Sequence, residues 1–138
     1  MYSEFWDNFN KIAEGNFEFR SNFTRYQFKS IRNYQNFSVD KPYYNLVVKL
    51  LPKKDCYCLM AYISKPSFYK LIHNNYREQI ENEVGHTIEW NEYSVKSSAT
   101  LIFPANFDNR TEWDRMCNDI ISYFLKLRKA FAKYSINY

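Results

Sequence analysis

From Ser67 to Gly85 apolar side chains return every three or four residues. Phe68, Leu71, Ile72, Tyr76, Ile80 and Val84 fall on one side of a helix of about five turns, with Ser67 as its cap and Gly85 as its stop. The period then changes. Ile88 and Trp90 alternate with Glu89 and Asn91, so a strand from Thr87 to about Tyr93 follows directly. A second long stripe runs through 111–134, where Trp113, Met116, Cys117, Ile120, Phe124, Leu127 and Phe131 predict a final helix, capped by Thr111. Glu112 and Asp114 in its first turn and Lys126, Arg128, Lys129 and Lys133 near its end suit the helix dipole. A shorter stripe of Phe5, Trp6, Phe9, Ile12 and Ala13, between Ser3 and Gly15, predicts an opening helix.

Between these helices the alternation is that of strands. Tyr44, Leu46, Val48 and Leu50 share one face, and Tyr57, Leu59, Ala61 and Ile63 share another, with Pro52, Lys53, Lys54 and Asp55 between them as a hairpin turn. Val95, Ser97, Ala99, Leu101 and Phe103 alternate up to Pro104 and make a second hairpin with the strand before them. Residues 17–37 admit two readings. Tyr26 and Phe28 against Arg25, Gln27 and Lys29 fit a charged edge strand. The same mixture of rings with Arg20, Arg25, Lys29 and Arg32 also fits a surface that stacks bases and follows phosphates. Whether 17–43 is strand or loop is left open by the pattern. The expected architecture is α+β: an antiparallel sheet of four to five strands in two hairpins, with three helices mainly on one face, in the order α-β-β-(β)-α-β-β-α.

Composition narrows the class. The 138 residues suit one domain spanning 1–138, with a core of rings: 13 Tyr, 12 Phe and 3 Trp. Only two glycines occur, Gly15 and Gly85, so no glycine-rich phosphate loop or dinucleotide fingerprint can be written. The formal charge of +4 permits weak, salt-sensitive attraction to polyanions. Three cysteines make no disulfide framework and point to a reducing, cytoplasmic setting, and no apolar run is long enough to enter a membrane.

Catalytic patterns are thin. His73 and His86 have no second ligand at metal spacing and read as solvent-facing, while Cys56 and Cys58 read as packing residues on one strand face and Cys117 as part of a buried stripe. Glu78, Glu81, Glu83, Glu89 and Glu92 would need to converge in space to hold a divalent metal or work as an acid–base pair. No acid-x-lysine pattern of a restriction-type nuclease falls on a strand. The residues therefore predict no cofactor, no metal and no enzyme.

The run FYKLIHNNYREQIENEVGHTIEW, with Leu71, Ile80, Glu81, Gly85, Ile88 and Trp90 as fixed points, followed by a polar strand and the Trp113-bearing helix, resembles the bacterial and archaeal family catalogued as domain of unknown function 4268. The resemblance covers about Phe68 to Phe131 and, more loosely, the opening FWDNF; the first 45 residues depart from it in being richer in Asn and Tyr. It implies an accessory or recognition role, since members occur alone or behind nuclease-like domains in host defence. The family has no agreed catalytic residues to carry over. The leading expectation is a non-enzymatic module that binds single-stranded or duplex nucleic acid weakly through Arg20, Arg25, Lys29, Arg32, Lys53 and Lys54. The alternative is a protein-interaction or self-associating domain using Tyr34, Phe37, Tyr43, Tyr134 and Tyr138.

Overall fold

The computed structural model describes residues 1–23, 31–39 and 41–138. Its elements are α1 (Tyr2–Glu14), α2 (Phe17–Asn22), β1 (Tyr34–Ser38), β2 (Tyr44–Leu51), β3 (Cys56–Ile63), α3 (Pro66–Val84), β4 (Glu89–Asn91), β5 (Ser97–Pro104) and α4 (Trp113–Ser135). Single turns of 3-10 helix over Pro52–Lys54 and Arg110–Glu112 join β2 to β3 and lead into α4. The five strands form one sheet in the order β1-β2-β3-β5-β4, and every pairing is antiparallel. Both expected hairpins are present.

Residues opposite each other across a ladder share a face. Phe37, Leu46, Ala61 and Ala99 lie in one such row and Val48, Leu59 and Leu101 in the next. All belong to the main core, together with every buried apolar residue of the four helices. The helices thus cover one face. On the other face Val47, Cys58 and Met60 form a small cluster rimmed by Tyr34, Leu51 and Tyr62, and all six are strand residues.

The core is built of rings, as the composition requires. Phe37 lies 5.0 Å from Phe124, 5.5 Å from Phe23 and 5.9 Å from Phe19, mostly edge to face, a geometry worth about 0.5–1.5 kcal/mol per pair beyond area burial. Trp6 is fully buried, and its indole Nε1–H donates to the Arg32 carbonyl at 2.8 Å. α4 crosses the sheet from the β2–β3 turn, where Trp113 packs on Phe5, to the opposite end, where Phe131 meets Tyr44.

Several expectations need correction. Among the described residues four helices are present rather than three, because Phe17–Asn22 is helical: the Asn16 side chain accepts from the Phe19 N–H at 2.8 Å and starts the turn. The strand expected around Tyr26 and Phe28 lies outside the described residues, among which β1 is an edge strand of the sheet. α3 starts one residue before the expected Ser67 cap, because Pro66 at its first position presets the helical φ. Neither Ser3 nor Thr111 caps a helix; Thr111 donates to the Asn109 side chain at 2.6 Å instead. Thr87–Tyr93 contracts to Glu89–Asn91.

Candidate nucleic-acid interface

The structure divides the basic residues that the sequence grouped. Lys53 and Lys54 are exposed on the turn between β2 and β3. Arg32 joins them, because the Leu50 N–H donates to the Asn33 carbonyl at 2.7 Å and the Asn33 amide donates back to the Leu50 carbonyl at 3.0 Å. The Arg32 guanidinium donates to the Tyr34 hydroxyl at 3.1 Å. Arg20 is exposed on α2, 6.0 Å from the Phe17 ring centre. Arg25 and Lys29 lie outside the described residues.

The carboxylates do not gather. Glu81 accepts from the Trp90 indole at 3.3 Å, and Glu83 accepts from Lys133 Nζ at 2.5 Å and the Tyr134 hydroxyl at 3.1 Å. Glu78 is exposed on α3, Glu89 is exposed on the far face of the sheet and Glu92 stands on the β4–β5 turn. Among the described residues no three His, Cys, Asp or Glu side chains could share a metal ion. The three cysteines are free, and burial pushes the Cys58 thiol up to about 11 and the Cys117 thiol up to about 12, so neither is ionised at neutral pH. The histidines are half-buried rather than solvent-facing: His73 stacks on Tyr69 at 5.4 Å and His86 packs on Phe103 at 4.3 Å.

The rings proposed for an interface are mostly spent inside the fold. Phe37 is fully buried, Tyr43 packs on Phe68 at 4.5 Å and Tyr134 stacks on Tyr76 at 4.5 Å. Tyr138 lies 5.2 Å from Phe68 and bonds the Ser67 hydroxyl. Tyr34 stands on the sheet face that carries no described helix.

Along α4 and the turns that precede β2 and β5, three clefts share lining residues. The first, about 340 Å³, is lined by Glu18, Asn22, Lys41, Tyr44, Arg128 and Lys129 among others. The second, about 360 Å³, shares Lys41 and Tyr44 with it and adds Lys96. The third, about 320 Å³, shares Lys129 and adds Lys126, Lys133 and Glu83. Among the described residues the band therefore carries six cations, Lys41, Lys96, Lys126, Arg128, Lys129 and Lys133, against two acids. One acid is already engaged: its bond from Lys133 holds the Glu83 carboxyl below the usual carboxylate range and raises the Lys133 ammonium.

Local structure explains the row on α4. Ile120, Phe124, Leu127 and Phe131 turn to the core, which leaves Lys126, Lys129 and Lys133, at i, i+3 and i+7, side by side on the solvent face. Rings beneath the cations support their stems: Lys126 Nζ lies 4.9 Å from the Tyr123 ring centre and the Arg128 guanidinium 5.4 Å from that of Phe23. In sequence these cations read as partners of the helix dipole. Their spacing, with no acid after Asp119, is the signal that marks a basic face. Lys41 and Lys96 carry no such signal, because only the sheet topology brings their turns to the same end.

Fold and surface together define an antiparallel α+β domain whose concentrated surface feature is a basic band along α4 and the turns that precede β2 and β5. The chain belongs to the family described as Domain of unknown function (DUF4268), whose model matches residues 1–135. No curated protein and no solved structure matches it. The match reaches well before Phe68, so the Asn- and Tyr-rich opening lies within the family's extent. The fixed points have structural work: Ile80 and Ile88 are buried, Gly85 holds the left-handed φ of 75° that ends α3, and Glu81 accepts from Trp90. Among the described residues no helix is long and apolar enough to cross a membrane.

Proposed function

We propose that this protein is a non-enzymatic module that holds nucleic acid by its phosphates, along the basic band rather than at the β2–β3 turn. The observation that carries the reading is the sharing of Lys41 and Lys129 between clefts, which links six cations through common lining residues. A net charge of +4 attracts polyanions only weakly when spread evenly. Gathered on one side, the same charges release several counterions when a phosphate backbone lies against them. The free cysteines suit a reducing, cytoplasmic setting. A role beside a nuclease-like partner in host defence or DNA processing agrees with what the family resemblance implies.

The test separates location from total charge. Lys126→Glu with Lys129→Glu, and Lys53→Glu with Lys54→Glu, each remove four charges and take the net charge from +4 to 0. Fluorescence anisotropy with a labelled oligonucleotide at about 50 mM salt is expected to show at least about a tenfold loss for the first pair and much less for the second. A larger loss from the second pair would return the site to the β2–β3 turn. Wild-type protein that binds no oligonucleotide at low salt would end the reading.

A further inference from the structure

We infer that the preferred ligand of the basic band is a nucleic-acid duplex, gripped through its phosphates without stacking or reading of bases; this rests on the phosphate-binding reading above. Single-strand binders gain about 1–3 kcal/mol per base from rings that offer a face to the ligand. Among the described residues no such ring lines the clefts: Phe17, 75% exposed beside Glu18, lies outside their lining, and Tyr138, 47% exposed, packs on Tyr43 and Phe68. Tyr44 is the one ring that lines the clefts, and it is 4% exposed. The two rings beside the α4 row are engaged as well. Tyr134 lies flat on Tyr76, with planes 20° apart, and its hydroxyl donates to Glu83. Tyr123 packs on Phe103 at 4.8 Å and lies under Lys126.

With stacking removed, charge density decides. A duplex presents a phosphate about every 1.7 Å of axis, and each neutralised phosphate contributes a salt slope of about 0.9 against about 0.7 for a single strand. A duplex is also stiff already, whereas a single strand must lose conformational freedom to lie along a fixed row of cations. The row itself is rigid: Lys126 to Lys133 spans about 10 Å of a continuous helix. Two exposed rings adjoin the band in sequence and line none of the clefts, Tyr93 (60% exposed) on the β4–β5 turn and Phe17 (75% exposed) at the start of α2, so they serve as the controls for stacking.

The experiment is competition anisotropy on the full chain, with an unlabelled duplex of about 20 base pairs against each of its separate strands, in two unrelated sequences at about 50 mM salt. Expected are a duplex at least about fivefold tighter than either strand, affinities within about twofold between sequences, and no change on Tyr93→Ala or Phe17→Ala. A strand that binds as tightly as the duplex, or a marked loss on Tyr93→Ala or Phe17→Ala, would overturn the duplex assignment. If that strand binding still fell on Lys126→Glu with Lys129→Glu, the phosphate-binding reading would survive. Absence of binding to duplex and strands alike would overturn both.

Discussion

Gly15 and Gly85 both follow a helix, yet only Gly85 has to be glycine. Its φ of 75° lies in the left-handed region, and a Cβ there would meet nothing within 4 Å, so Gly85→Ala carries a backbone cost alone, about 1 kcal/mol. Gly15 sits at φ −79° and ψ −5°, where any residue is comfortable, and a Cβ would lie at an ordinary 3.5 Å from the Ile12 carbonyl oxygen. Gly15→Ala should therefore stabilise the protein by about 0.4–1 kcal/mol, by narrowing the unfolded ensemble. Denaturant unfolding of the two variants should move the midpoint in opposite directions, and two shifts of the same sign would refute the distinction. The sequence marks both glycines as helix stops and cannot separate them. The difference lies in φ, which at Gly15 is decided by the immediate start of α2 at Phe17 rather than by a turn away from the helix.

At the scale of elements, the long stripes of α3 and α4 and the alternation in β2, β3 and β5 were legible because each repeats over eight or more residues. α2 was not, for a physical reason. Phe17 and Phe19 are spaced as in a strand, and six residues are too few for helical period to compete with that signal. What forms the helix is the Asn16 cap together with burial of Phe19 and Phe23, one turn apart with ring centres 4.8 Å from each other, against Phe37. Phe17, left outside, is 75% exposed. Asn16→Ala should cost about 1 kcal/mol, and hydrogen exchange should show faster opening of the Phe19–Phe23 amides than of those in α3. A loss confined to global stability, with α2 still protected to the level of α3, would mean that packing alone holds the turn. The candidate site divides in the same way. The α4 row is a local spacing, readable without coordinates, whereas Lys41 and Lys96 join it only through the pairing of β2 with β3 and β3 with β5.

For the whole molecule, placement of charge matters more than its sum. The two ends of the sheet are separated by the eight residues of β2, about 25 Å, which exceeds the Debye length of about 10 Å at 0.1 M salt. Cations at the β2–β3 turn and those at Lys41 and Lys96 therefore act as separate surfaces on any short ligand. Within the band the local balance is set by its two acids, and they are not equivalent. Glu83 is bonded to Lys133 and Tyr134, so its removal releases one cation and loosens the contact between α3 and α4 at the same time. Glu18 lines the first cleft across from Arg128 and Lys129, on the short helix α2. Glu18→Gln should thus raise affinity for a short duplex by about two- to fivefold at 50 mM salt, since repulsion of a phosphate at 6–8 Å under partial screening is worth about 0.4–1 kcal/mol. The gain should shrink towards nothing at about 0.5 M salt, where the Debye length falls to about 4 Å, and the thermal midpoint should stay near that of the wild type. A gain that persisted at high salt would point to a changed cleft shape rather than to charge. An unchanged affinity at low salt would mean that the backbone passes on the Lys126–Lys133 side and leaves the first cleft empty of phosphate.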